Sequence, residues 1–392
     1  MANSVFIVAS ARTPIGSLNG VLSPLTAPQL GAIVIRALLQ RSGIEPGQIN
    51  ELYMGNVVSA GVGQAPAQQA SIYAGLPTSI PCTTVNKVCA SGMKAIMLGA
   101  QSIASGENEI VIAGGMESMS NIPHYLEKSR TGLRLGHGQL TDGILKDGLW
   151  DPYNDYHMGE AGEICSAEYG ITREDQDRYA AESYRRTIRA YEQGLFREEL
   201  VPVEISGKKP VVVTEDEEFR KADFEKMPKL KPVFRKDGSI TAANASKIND
   251  GAAGVILVGE EKMKELGLKP LARIVAFADA SQAPEWFTTT PIKAMGETLS
   301  KAGLTAQQMD AVEINEAFSC VPIVNAKELG IAQDKLNLWG GAVSIGHPIG
   351  CSGARIIVTL NSVLKHLNGR YGLAGICNGG GGASAMILER TD

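Results

Sequence analysis

Three side chains stand out by type and by neighbours: Cys89 in VNKVCASGMKAI, His347 in SIGHPIG and Cys377 in GICNGGGG. Cys89 falls where an apolar strand gives way to a helix. A thiol there faces free N–H groups and the positive end of the dipole, so a lowered pKa and a nucleophile that forms a thioester are expected. Cys377 closes a strand and precedes four glycines, whose amides can receive a developing negative oxygen, which suits an acid–base thiol. Gly346 and Pro348 fix the backbone of His347, and Asn315 closes the strand AVEIN, where it can orient a water. Each has a plainer reading as an inert buried cysteine, a strand-end packing residue, a structural histidine or a turn former. No Lys-Ser/Thr follows the glycines, so a phosphate loop is a poor fit. A Cys/His/Asn set also suits papain-like proteases, but the CGSCW-like signature is missing. His124, His137 and His366 have no metal-site spacing.

The elements that must position these residues alternate strand and helix. Val5–Ser10, Leu52–Val58, Thr83–Val88 and Glu109–Ala113 read as strands, with helices at Ala27–Arg41, Ala65–Gly75 and Ala90–Ser105. Residues 121–241 are richer in charge, Pro and Gly, with helices at Gly159–Tyr169 and Arg173–Glu192, and read as an inserted loop or cap domain. From Ala242 the buried α/β texture returns in DGAAGVILVG and LARIVAFADAS. This second half repeats the first: KAGLTAQQMDAVEIN mirrors RSGIEPGQINELYMG, CSGARII mirrors ASGMKAI, and LAGICNGG mirrors EIVIAGG. In that register Gly303 answers Gly43, Met309 answers Ile49, Asn315 answers Gly55 and Gly350 answers Cys89. A duplicated α/β core follows, with residues 1–120 as one half (completed by about 242–268) and 269–392 as the other. Two matched helix N-termini would face each other between two sheets, a pocket for an anionic or polarised group.

At 392 residues, 44% of them hydrophobic, the chain has material for more than one core. Its 37 basic and 42 acidic residues leave a net charge of −5, against nucleic-acid or membrane-surface binding. Six cysteines without disulfide-framework density suit a reducing compartment. No leader-like segment precedes the strand at Val5, and no apolar run reaches the ~18 residues of a membrane span. A cytoplasmic enzyme is expected, or one of the mitochondrial matrix had a leader been removed.

VNKVCASGMKAI, NEAF, GGAVSIGHPIGCSGAR and CNGGGGASA, in this order and spread, resemble the four signature stretches of the thiolases, over essentially the whole chain. In length the chain is also similar to acetyl-CoA acetyltransferases (acetoacetyl-CoA thiolases), and CNGGGGASA, TAANAS and FADAS resemble in particular the potassium-activated mitochondrial-type subgroup; EWFTTT departs from it. The resemblance implies a five-layer αβαβα fold and a reversible Claisen condensation of two acetyl-CoA to acetoacetyl-CoA and CoA. It makes Cys89 the acylated nucleophile, Cys377 the base at the α-carbon and His347 the acceptor of the Cys89 proton. His347 and an Asn315-held water would stabilise the enolate, and the N–H groups of Cys89 and Gly379 the tetrahedral oxygen. It implies Tyr184, Lys221, Asp223, Lys226 and Ser246 around the coenzyme A nucleotide, and Leu149, His157, Met158 and Phe318 along the pantetheine. No covalent cofactor is implied, but a potassium ion is, on Tyr184 and the carbonyls of Ala242, Ala243, Ala245 and Val343. A homotetramer built through Asn121–Asp147 is implied as well. Alternatives are a 3-ketoacyl-CoA thiolase of broader chain length and a non-catalytic CoA- or lipid-binding relative. A decarboxylating ketosynthase would want a histidine in place of Cys377.

Overall fold

The computed structural model describes residues 4–391. The first half is built from β1 (Val5–Arg12), α1 (Ala27–Ser42), β2 (Glu51–Gly55), α2 (Pro66–Ala74), β3 (Cys82–Val85), α3 (Ser91–Ala104) and β4 (Ile110–Ser118). Residues 121–241 contribute α4 (Met158–Glu168), α5 (Arg173–Glu192) and three small two-stranded ribbons. The chain then gives β5 (Asn249–Gly259), β6 (Ala272–Ser281), α6 (Thr290–Ala302), β7 (Ala311–Ile314), α7 (Cys320–Leu329), α8 (Ile349–Leu367), β8 (Tyr371–Asn378) and β9 (Gly382–Arg390). Helix ends follow local chemistry. Gly43 and Gly303 stop α1 and α6 in the left-handed region, and Thr172 and Asp175 close a reciprocal cap at the start of α5.

Strand order is β7-β8-β9-β6-β1-β5-β4-β2-β3, with β3, β2 and β4 parallel, β7 and β8 parallel, and the remaining neighbours antiparallel. The halves correspond strand for strand except at β3, whose place in the second half holds only the isolated bridge between Val312 and Leu336. A bulge interrupts β1 between Ile7 and Ala9, and another interrupts β6 between Ile274 and Ala276. Both helix-to-strand links after Gly43 and Gly303 make a 3-10 turn ending at a buried Ile49 or Met309. The two sheets expected from the sequence are joined at one edge: β1 and β6 pair through Phe6–Arg273 and Ile7–Ala272. Both strands present free edges there, and twist carries them apart beyond two residue pairs.

Strand residues alternate between cores. Ile110 and Ile112 pack with α1, whereas Val111 and Ala113 pack with α3 and α8. In the second half Leu373, Ala385 and Ile387 face α6 and α7, while Ala374, Ile376, Met386 and Leu388 face α3 and α8. Helices therefore lie outside, between and outside the sheet halves, the αβαβα layering. Burial on both faces explains why these strands read as unbroken apolar runs. Among the described residues no helix is long and apolar enough to cross a membrane.

The central helices touch through small residues at their first turns. A Cβ on Gly92 would lie 2.8 Å from the Ala354 amide nitrogen, and one on Gly353 would lie 2.5 Å from that of Met93. The sheet joins this contact at Gly115, where a Cβ would come within 2.0 Å of the Gly350 carbonyl oxygen. Backbone cannot yield as a side-chain tip can, so Gly115→Ala should destabilise by about 3 kcal/mol or more. Gly47→Ala, with open space around it, should stay within about 0.5 kcal/mol of the parent. Denaturant melts of both variants check the contrast.

Candidate active site

Cys89 is lifted by a strained turn. β3 ends at Val85 rather than Val88, and Val88 itself takes φ 47°, a left-handed conformation that a β-branched residue rarely adopts. The strain, on the order of 1–3 kcal/mol, is held by a local lattice. Lys87 N donates to Ser91 Oγ (2.8 Å), Val88 N donates to Asn86 Oδ1 (3.0 Å), and Ser91 Oγ donates to the Val88 carbonyl (2.5 Å). The Lys87 ammonium reaches Asp279, Ser384 and the Ala383 carbonyl, anchoring the turn to the other half of the molecule.

The N–H groups of Gly379 and of Cys89 itself point at the Cys89 sulfur. Both lower its pKa, but not below the ordinary value as the sequence suggested. The residue stays partly accessible, but its sulfur is withdrawn from water among apolar groups, and this desolvation pushes the thiol up to about 12 against the two donors. Cys377, at the end of β8, is fully buried; burial and then the neighbouring Cys89 sulfur hold its thiol well above the ordinary value. Beyond it, Gly380 and Gly381 take φ of 80° and 82°, and a Cβ on Gly381 would lie 2.1 Å from the Gln282 carbonyl oxygen. The glycine run is thus demanded by the turn that delivers the Gly379 amide.

His347 is fixed from both sides. Its backbone N–H donates to Asn249 Oδ1 (2.9 Å), and its Nδ1 lies 2.6 Å from Ser352 Oγ. That hydroxyl donates to the Pro348 carbonyl (3.0 Å), so it accepts from Nδ1–H and leaves the lone pair on Nε2. Nε2 is buried without a hydrogen-bond partner. Burial, and then Arg355, hold the imidazole down to about 3, so it is neutral at neutral pH. Asn315 is wholly buried and neither side-chain polar atom has a partner; its backbone N–H donates to the Gly375 carbonyl two residues before Cys377. Orphaned buried polar atoms of this kind mark a place for water or substrate.

A channel of about 470 Å3 opens from His347 to the surface, a size that suits a ligand cleft. Leu149, His157, Phe318, Ser246 and Lys221 line it, joined by Phe234, Lys247 and Glu218, which the sequence reading missed. His157 stacks on Phe234 at 4.6 Å, and burial keeps its imidazole below the ordinary value. Met158 lies instead beside Gly379. Tyr184, Asp223 and Lys226 line an adjoining cavity of about 370 Å3 that shares Lys221 and Lys247 with the channel.

Two expectations need correction. The start of α8 is not left open for an anion: Glu117 accepts from the N–H groups of Gly350 (2.9 Å) and Val57 (2.9 Å) and from Asn56 Nδ2 (2.8 Å). The residues assigned to potassium do not fit the ion either. Lys247 Nζ donates to the carbonyls of Ala245 (2.6 Å) and Val343 (3.3 Å) and lies 5.8 Å from the Tyr184 ring centre. A second cation would meet an ammonium already bonded to two of the expected carbonyls, so no step involves potassium. Among the described residues no acidic, histidine or cysteine cluster forms a metal site.

The model of the thiolase N-terminal domain matches residues 5–261, and that of the thiolase C-terminal domain matches residues 268–390. The chain belongs to the thiolase family. Its relatives include acetyl-CoA acetyltransferase 1 of Arabidopsis thaliana, 56% identical over 98% of this chain and 94% of that one. The cytosolic acetyl-CoA acetyltransferase ERG10 of Gibberella zeae is 52% identical over 99% of both. Among solved structures, the Acat5 thiolase of Ascaris suum in complex with coenzyme A superposes with a TM-score of 0.95, at 44% identity, covering 99% of this chain and all of that one.

A thiol pushed up to about 12 gains thiolate tenfold per pH unit well above neutrality. The rate of Cys89 alkylation by iodoacetamide should therefore rise without a plateau from pH 6 to about pH 10. A plateau near pH 7, read by peptide mapping, would contradict this electrostatic account.

Proposed function

We propose that the protein is an acetyl-CoA acetyltransferase, joining two acetyl-CoA into acetoacetyl-CoA and CoA through an acyl-Cys89 intermediate. The observation that carries the reading is a buried, unpartnered His347 Nε2 lone pair in a site where the Cys89 sulfur sits under two backbone donors. His347 takes the Cys89 proton as the sulfur attacks the thioester carbonyl, and the tetrahedral oxygen is received by the N–H groups of Cys89 and Gly379. As the intermediate collapses, Cys377 gives its proton to the departing CoA thiolate. The resulting Cys377 thiolate is strongly basic because burial has raised its pKa, which matches a weakly acidic α-carbon. It removes that proton from a second acetyl-CoA. The enolate oxygen is met by His347, still protonated, and by a water held on Asn315. Carbon–carbon bond formation expels the Cys89 thiolate, which regains its proton from His347. Thiolysis runs these steps in reverse.

In this reading the pantetheine threads the channel past Leu149, His157 and Phe318, with Met158 at its inner end beside Gly379. Ser246 and the exposed ammonium groups of Lys221 and Lys226 face the nucleotide phosphates, and Tyr184 and Asp223 shape the adjoining wall. We assign the chain to the cytosol, in keeping with the description of the Gibberella zeae relative. We also propose a tetramer: within Asn121–Asp147, Leu135 is 100% exposed and Leu140 70%, apolar surface that a neighbouring subunit would cover.

Intact-mass spectra after incubation with acetyl-CoA test the roles. Cys377→Ala should carry one acetyl group yet form no acetoacetyl-CoA, and Cys89→Ala should carry none. An acetylated Cys89→Ala, or an unmodified Cys377→Ala, would overturn the assignment.

A further inference from the structure

The segment after Thr241 doubles back on itself. Ser246 N donates to the Ala317 carbonyl (3.0 Å), and Ala245 bridges to Phe318, so the turn is pinned to the channel wall. Lys247 follows, but its chain does not run out to water. Its ammonium turns inward to the Ala245 and Val343 carbonyls, against the face of Tyr184. Val343 belongs to the turn that leads to His347, and its own N–H is taken by Glu316 Oε2 at 2.9 Å. One side chain thus joins the wall of the proposed CoA channel to the turn that carries the imidazole.

We propose that Lys247 is a tethered cation standing in for a bound monovalent ion, so that this protein binds coenzyme A without potassium. Lys247 is here a positioning residue: it bears on the reaction through the Ala242–Ala245 and Val343 backbone. Three features support it. Two backbone oxygens converge on Nζ, an arrangement that a surface lysine has no need of and an ion site requires. The aromatic face of Tyr184 adds a cation–π partner. The nearby carboxylates of Glu218 and Glu316 favour the charged form; burial pulls Lys247 down to about 8, with Lys221 adding to that pull, so the group remains an ammonium at neutral pH. A lysine tied to the chain gives up rotamer freedom on occupying the site but no translational freedom, and cannot be washed out, whereas a free ion must be bound from solution. The proposal rests on the channel being the CoA site.

The test separates the two ideas. Calorimetric CoA affinity and the melting temperature of the ligand-free protein are measured in potassium, sodium and rubidium chloride at equal ionic strength. The parent should give the same values in all three salts. In Lys247→Ala, CoA affinity in sodium should fall about tenfold or more, the loss of charge-assisted hydrogen bonds. Potassium should recover most of it and raise the melting temperature of this variant alone. A parent whose melting temperature or CoA affinity rises selectively in potassium would overturn the proposal. So would a variant with unchanged affinity, or one whose lost affinity potassium does not restore. Should the variant not fold, the salt series on the parent still decides. A parent that binds no CoA in any salt would sink the assignment of function instead, while its melting temperatures would still report on Lys247.

Discussion

The molecule depends on how closely two helix starts can be pressed together. Where α3 and α8 meet, the first turns contact backbone to backbone, because Gly92 and Gly353 leave no side chain between them. The chain enters α3 through Cys89 and enters α8 through His347 and Pro348. Bringing the helix starts into contact therefore brings the thiol and the imidazole to the same end of the central layer. The sheet halves supply the rest from their strand ends, Asn315 after β7 and Cys377 at the end of β8. Chemistry lies at the seam of a duplication, and neither half holds the full set.

The interior that makes this packing possible also sets the protonation states. Burial holds both thiols up and the imidazole down, and the resting site is neutral. A neutral thiol–imidazole pair suits a thioester substrate: charge develops only as the carbonyl is attacked, where backbone donors already stand. Preorganised donors cost no reorganisation at that moment. Other buried charges meet an opposite charge or hydrogen-bond donors. Arg12 on β1 is clasped by Glu199 and Asp216 from the 121–241 segment, with Arg12 Nη1 2.8 Å from Asp216 Oδ1. Glu316 receives Tyr179, Ser183 and the Val343 N–H, seating α5 on the turn before His347.

Much of this could be read in the sequence because repetition is visible without structure. Gly43 and Gly303 do stop matching helices, and the ASGMKA and CSGARI stretches do open the paired central helices. His347 and Cys377 announced themselves by glycine-rich surroundings, and Cys89 by its place where a strand gives way to a helix. What escaped was fixed by contacts remote in sequence or by backbone geometry. Asn249 holds the His347 amide across 98 positions. Glu117 satisfies Gly350 across 233, which closed a helix start that looked open. The strain at Val88 arises from φ, which no residue-type pattern near it reveals. Lys247 reads as one more lysine in a polar turn until the Val343 carbonyl, 96 positions on, is seen beneath it. Ser352 was the one recoverable miss: five residues after His347, in the first turn of α8, it stands where a side chain can reach back to the imidazole.

The claim beneath the whole account is that two cysteines 288 positions apart, Cys89 and Cys377, share one reaction space. Phenylarsine oxide, which holds two thiols on a single arsenic, measures this directly when followed by alkylation and peptide mapping. The account predicts one arsenical bridging Cys89 and Cys377, with both protected from the alkylating agent. Independent alkylation of the two thiols after arsenical treatment would contradict it.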